Sequence, residues 1–109
     1  MNKMKKFHTI TVDGEEYKLR LTASSISTIE KKLNKSLNAA LKNTQDNTLE
    51  TIITILWGAR QPFDSSFTFE NAQSLFDQYI DDGNSIEELM QEINGLFETS
   101  GFFKKGQAE

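Results

Sequence analysis

Apolar side chains recur along this chain with two different periods, first at every second position and then at every third or fourth. Phe7-His8-Thr9-Ile10-Thr11-Val12 and Glu15-Glu16-Tyr17-Lys18-Leu19-Arg20-Leu21 alternate about Asp13-Gly14, the dipeptide best suited to a tight type I′ turn, and this predicts a β-hairpin over 7–21. In a two-residue-loop register Ile10 faces Tyr17 and His8 faces Leu19 on the side that packs on helices. Thr9 with Lys18 and Thr11 with Glu16 share the other side.

Helical spacing then takes over. Ser24 or Ser25 is placed to cap a segment over about 25–42 in which Ile26, Ile29 and Leu33 form a narrow stripe. Leu37, Ala40 and Leu41 continue it after the Asn34-Lys35-Ser36 interruption, so the segment reads as two short helices or one that bends. Asn43 to Asn47 is a polar connector, and Asp46 or Thr48 can cap the next helix, 48–60. That helix is the hydrophobic centre of the chain: Leu49, Ile52, Ile53, Ile55, Leu56, Trp57 and Ala59 fill an arc of roughly 200°, leaving Glu50, Thr51, Thr54 and Gly58 opposite. Pro62 stops it soon after Arg60.

Phe63 to Phe67 reads as a loop, with Thr68 as the cap of a helix over 69–81 whose apolar face is Phe69, Ala72, Leu75, Phe76, Tyr79 and Ile80. Gly83 lies where a left-handed residue ends such a helix. Ser85-Ile86-Glu87-Glu88 matches a capping box and opens a helix over 86–99. On that helix Ile86, Leu89, Met90, Ile93, Leu96 and Phe97 lie within about 120°, opposite Glu87, Glu88, Gln91 and Gly95, and Gly101 ends it. The expected architecture is α+β: an N-terminal β-hairpin packed on a mainly helical body of four to five helices, forming a single domain over 1–101 with a C-terminal tail, 102–109.

With 109 residues one core suffices. The chain has no cysteine, which removes disulfides, thiolate metal sites and cysteine nucleophiles and fits a reducing, cytosolic setting. Met1 to Lys6 is basic like the start of a signal peptide, but the alternating residues that follow form no continuous hydrophobic block, so neither export nor a membrane span is expected. The net charge of -4 conceals an asymmetry: nine Lys/Arg against four Asp/Glu through Lys42, then three against twelve. A positive front and a negative back favour head-to-tail attraction between copies, so a homo-oligomer is one expectation; a surface that mixes the two segments is the other.

Reactive chemistry has few residues to rest on. His8 is the only histidine and sits on the core side of a strand, which reads as a packed or strand-end histidine. Asp77, Asp81, Asp82, Glu87 and Glu88 gather around Gly83, but their spacing does not match an EF-hand loop, and helix capping accounts for the two glutamates. The glycines are scattered singly, with no phosphate-cradling loop. Lys3, Lys5, Lys6, Lys18, Arg20, Lys31, Lys32 and Lys35 make the best case for nucleic acid, yet the total charge is acidic and solvated surface lysines explain them. Asn34-Lys35-Ser36 fits a glycosylation sequon without a secretory context. Phe102 and Phe103, followed by Lys104 and Lys105, are the candidate partner-binding residues; they read equally as a docking peptide and as a tail that closes the core. No catalytic, cofactor-binding or metal-binding residue is expected.

The order of elements carries a resemblance. A hairpin closing on Leu21-Thr22-Ala23, then Ile26-x-x-Ile29-Glu30-x-x-Leu33-x-x-Ser36-Leu37, then Ile52-Ile53-x-Ile55-Leu56-Trp57-x-Ala59, resembles the tail assembly chaperones of long-tailed bacteriophages of Gram-positive hosts. The closing acidic helices look like the same family. The resemblance implies a non-enzymatic cytoplasmic protein that holds the tape-measure protein soluble, recruits tail tube subunits, is not retained in the virion, and often has a longer frameshifted form. No nucleic acid or membrane partner is expected. The alternatives are a tail-completion or connector protein that stays in the particle, and a small DNA-binding regulator using the basic front.

Overall fold

The computed structural model describes residues 7–42 and 49–101. Its elements are β1 (His8–Val12), β2 (Glu15–Leu19), α1 (Ala23–Leu33), α2 (Leu37–Lys42), α3 (Leu49–Arg60), α4 (Phe69–Asp81) and α5 (Ile86–Thr99), an α+β architecture. The strands pair antiparallel in the expected register, His8 opposite Leu19 and Ile10 opposite Tyr17. Asp13 and Gly14 both take positive φ, 53° and 81°, as a type I′ turn demands. The inward side chains Ile10, Val12 and Leu19 are buried among the helices.

The segment expected over 25–42 is two helices. Asn34 turns into the left-handed region at φ 59° and ends α1, its N–H donating to the Glu30 carbonyl. The Glu30 carboxylate then accepts from the Leu37 N–H at 2.7 Å, so one residue on α1 satisfies an orphan donor of α2. Leu37 is fully buried at that junction. Glu30→Ala is expected to cost about 1–2 kcal/mol in urea unfolding, because it strips a charged acceptor from a half-buried N–H. Glu30→Gln, which keeps an oxygen there, is expected to recover about half of the loss.

The N-cap of α1 is Thr22, not Ser24 or Ser25: its hydroxyl accepts from the Ser25 N–H at 3.1 Å. Ser25 is instead buried, with its hydroxyl within 3.4 Å of the Arg20 carbonyl. Thr68 and Ser85 cap α4 and α5 as expected, each within a reciprocal capping box. Asp46 and Thr48, proposed as caps for α3, lie outside the described residues.

Helix α3 is the spine. The side expected to be polar is buried as well: Thr51, Thr54 and Gly58 lie inside with Ile52, Ile53, Ile55, Leu56 and Ala59, and only Glu50 of that group is exposed. Neighbours on almost every side explain this, with α1 and α4 packed along α3 and β2 at its end. Thr54 remains tolerable because its hydroxyl donates to the Glu50 carbonyl one turn back, at 2.6 Å. Gly58 lets α1 approach so closely that a Cβ there would fall 2.4 Å from Ile29 Cγ1.

The apolar face of α5 also needs one correction. Ile86 is 48% exposed, because it occupies the first helical turn beyond the core, whereas Leu89, Ile93, Leu96 and Phe97 are buried. At the other end of α5 the Ser100 hydroxyl accepts from the Leu21 N–H at 3.0 Å, fastening that end to the chain between β2 and α1.

Candidate interaction surfaces

Of the residues singled out from sequence, Phe102, Phe103, Lys104 and Lys105 lie outside the described residues, as do Lys3, Lys5 and Lys6. His8 is half-buried, and its Nε2 donates to Glu92 Oε1 at 2.6 Å. Its ring lies so close to α5 that a Cβ at Gly95 would come 2.8 Å from Cε1. That glycine is needed for the strand and helix to meet, so His8 joins the two elements.

The acidic group around Gly83 is divided among local tasks. Glu88 accepts from the Ser85 N–H, and Asp82 accepts from the Asp13 N–H across to the hairpin turn. No group of three or more His, Cys, Asp or Glu among the described residues is arranged to hold a metal ion. Burial, and then the charges of Glu92 and Glu88, push the Tyr79 phenol above its ordinary pKa.

Two aromatic clusters do reach the surface. On α3 and α4, Trp57 and Phe69 meet edge to face at 6.1 Å, and Lys32 from α1 places its Nζ 4.3 Å above the Phe69 ring. On the outer side of the hairpin, Phe7 meets Phe63 edge to face at 6.0 Å, with Lys18 Nζ 4.9 Å from the Phe7 ring. Among the described residues, Leu49, Phe63 and Ile86 are the exposed large hydrophobics. These clusters were not legible in the sequence, because each draws one residue from each of several elements far apart along the chain.

Between the hairpin and α4 runs an open polar groove of about 270 Å³, lined among others by Tyr17, Arg60, Asp64, Asn71 and Gln78. It is smaller than the usual range of small-molecule pockets, about 300–1,000 Å³, and suits a side chain or a length of main chain better. Arg60 donates to the Lys18 carbonyl at 3.1 Å and lies 5.5 Å from the centre of the Tyr17 ring. Its Nε is buried without a hydrogen-bond partner. Burial, and then the hydrogen bond to Glu15, raise the Tyr17 pKa. The Ser66 hydroxyl holds Asp64 below the ordinary carboxylate range, with the Ser66 N–H and Arg60 adding to the effect.

A sequence profile for a family of unknown function, DUF6096, matches residues 3–109. The chain belongs to that family. No curated protein and no solved structure matches it. The matched span of this DUF6096 chain takes in the hairpin and all five helices, so the family is defined over the whole of the fold just described. No helix among the described residues is long and apolar enough to cross a membrane.

Proposed function

We propose that this chain is a non-enzymatic tail assembly chaperone, which binds a phage tape-measure protein and tail tube subunits in the bacterial host cytoplasm and is left out of the finished virion. The reading starts from the resemblance of the Ile26-to-Leu37 and Ile52-to-Ala59 patterns to that family. The observation that carries it further is the Trp57, Phe69 and Lys32 cluster: half-buried aromatics with a cation above them are the side chains that dominate protein-binding surfaces. A tape-measure protein is a long helical chain with apolar stripes, and shallow aromatic surfaces ringed by charge can hold such a stripe while keeping the complex in solution.

Co-expression with tape-measure fragments followed by affinity capture tests this. Phe102→Ala with Phe103→Ala is expected to leave the circular dichroism spectrum and melting temperature unchanged and to weaken capture by at least about tenfold. Unchanged capture removes the tail from the proposed contact surface. Mass spectrometry of purified virions bears on the role as a whole: finding this protein there in stoichiometric amount overturns the chaperone reading in favour of a structural tail component.

A further inference from the structure

The hairpin has two outer edges, and they are treated differently. Along β2 the edge is closed by the end of α3: Arg60 donates to the Lys18 carbonyl, and the Ala59 carbonyl accepts from the Arg20 N–H at 2.9 Å. The backbone groups of Lys18 and Arg20 therefore point away from β1. Antiparallel ladders alternate, so Thr9, opposite Lys18, and Thr11, opposite Glu16, turn their own N–H and C=O groups away from β2. Among the described residues nothing donates to or accepts from the backbone of Thr9 or Thr11. Among the described residues the sheet has two strands, and no third strand pairs with the outer edge of β1.

Open edges are ordinarily guarded by lysine, proline, a bulge or an inward charge. Here the strand reads His8-Thr9-Ile10-Thr11-Val12, its pairing with β2 has no bulge, and Thr11 is exposed. The flanks carry opposite charge. Lys3, Lys5 and Lys6 precede the strand, while Asp13, Glu15 and Glu16 follow it, with Asp81 and Asp82 beside Asp13 at the turn.

We propose that β1 pairs with β1 of a second copy of this chain, antiparallel about a two-fold axis at Thr9, joining two hairpins into one four-stranded sheet. In that register Thr9 pairs with Thr9 of the second copy and Thr11 with Phe7 of the second copy; Thr9 and Thr11 turn their backbone groups outward, and Phe7 continues the alternation one residue beyond β1. The seam takes up to about six backbone hydrogen bonds. Antiparallel pairing also sets the N-terminal end of β1 in one copy, which a lysine-rich sequence precedes, next to the acidic turn of the other; a parallel pairing would set like ends together and lacks the two-fold symmetry of a closed dimer. The inference stands apart from the tail-assembly reading, since it draws on the hairpin alone.

Sedimentation equilibrium on the full chain tests it. The wild type is expected to give a dimer mass at about 100 µM, and Thr9→Pro is expected to raise the dissociation constant at least about tenfold. The substitution removes an outward N–H that has no partner among the described residues, so the circular dichroism spectrum should be unchanged. In a second arm, Thr9→Cys in this otherwise cysteine-free chain should oxidise readily to a covalent dimer, while Ser27→Cys, exposed on α1, should not. A wild type that stays monomeric at that concentration overturns the proposal. So does a dimer as tight in Thr9→Pro as in the wild type, or equal crosslinking at positions 9 and 27.

Discussion

Phe97→Ala is expected to lower the unfolding free energy by about 3–5 kcal/mol in urea titrations, enough to leave the chain largely unfolded near 37 °C if its stability is of the ordinary size. Phe97 is the bulkiest of the fully buried side chains among the described residues. It lies between Glu92, bonded to His8, and Ser100, whose hydroxyl fastens α5 to Leu21, so the helix is held on both sides of the ring and cannot easily collapse into the space left behind. Ile86→Ala on the same helix serves as the contrast. Ile86 belongs to the same apolar face by spacing but is half exposed, and its truncation should change stability by no more than about 0.5 kcal/mol. Equal losses at the two positions would contradict the docking of α5 described above.

The second large effect is expected at Gly58. In an exposed helix, glycine to alanine gains about 1 kcal/mol from backbone entropy. At Gly58 the sign should reverse, with Gly58→Ala losing about 1–3 kcal/mol, because the new Cβ would sit 2.4 Å from Ile29 Cγ1 and 3.4 Å from the Ser25 carbonyl oxygen. Ile29 is itself fully buried, so making room for the new Cβ means repacking the core around it or moving α1 away from α3. A double-mutant cycle separates overpacking from any other cause. In an Ile29→Ala background the clashing atoms are gone, and Gly58→Ala should become neutral or stabilising. A loss of the same size in both backgrounds would mean that contact with Ile29 is not the reason for the glycine.

These two predictions divide along a line that runs through the whole molecule. The hairpin turn, the capping boxes at Thr68 and Ser85 and the break at Asn34-Lys35-Ser36 arise from interactions within a few residues, so their residue types announce them. Thr22 was missed as a cap because Ser24 and Ser25 offer the same hydroxyl, and only the fold turns Ser25 inward to contact Arg20. The candidate surfaces were less legible still. The Trp57 cluster needs α1, α3 and α4 to converge, and the aromatic pair at 102–103 that the sequence did single out lies beyond the described residues.

By itself, then, the sequence determined which segments are strands and which are helices, their register at the hairpin, and the α+β class, since each depends on local hydrogen bonding and on the period of apolar residues. Tertiary structure alone decided that Thr51, Thr54 and Gly58 face inward while Ile86 faces out, that Arg60 closes one edge of the hairpin, and that no other described strand pairs with β1. The physical reason is that burial and edge coverage depend on which elements arrive alongside. A helical wheel ranks the faces of one helix but carries no information about how many neighbours will surround it.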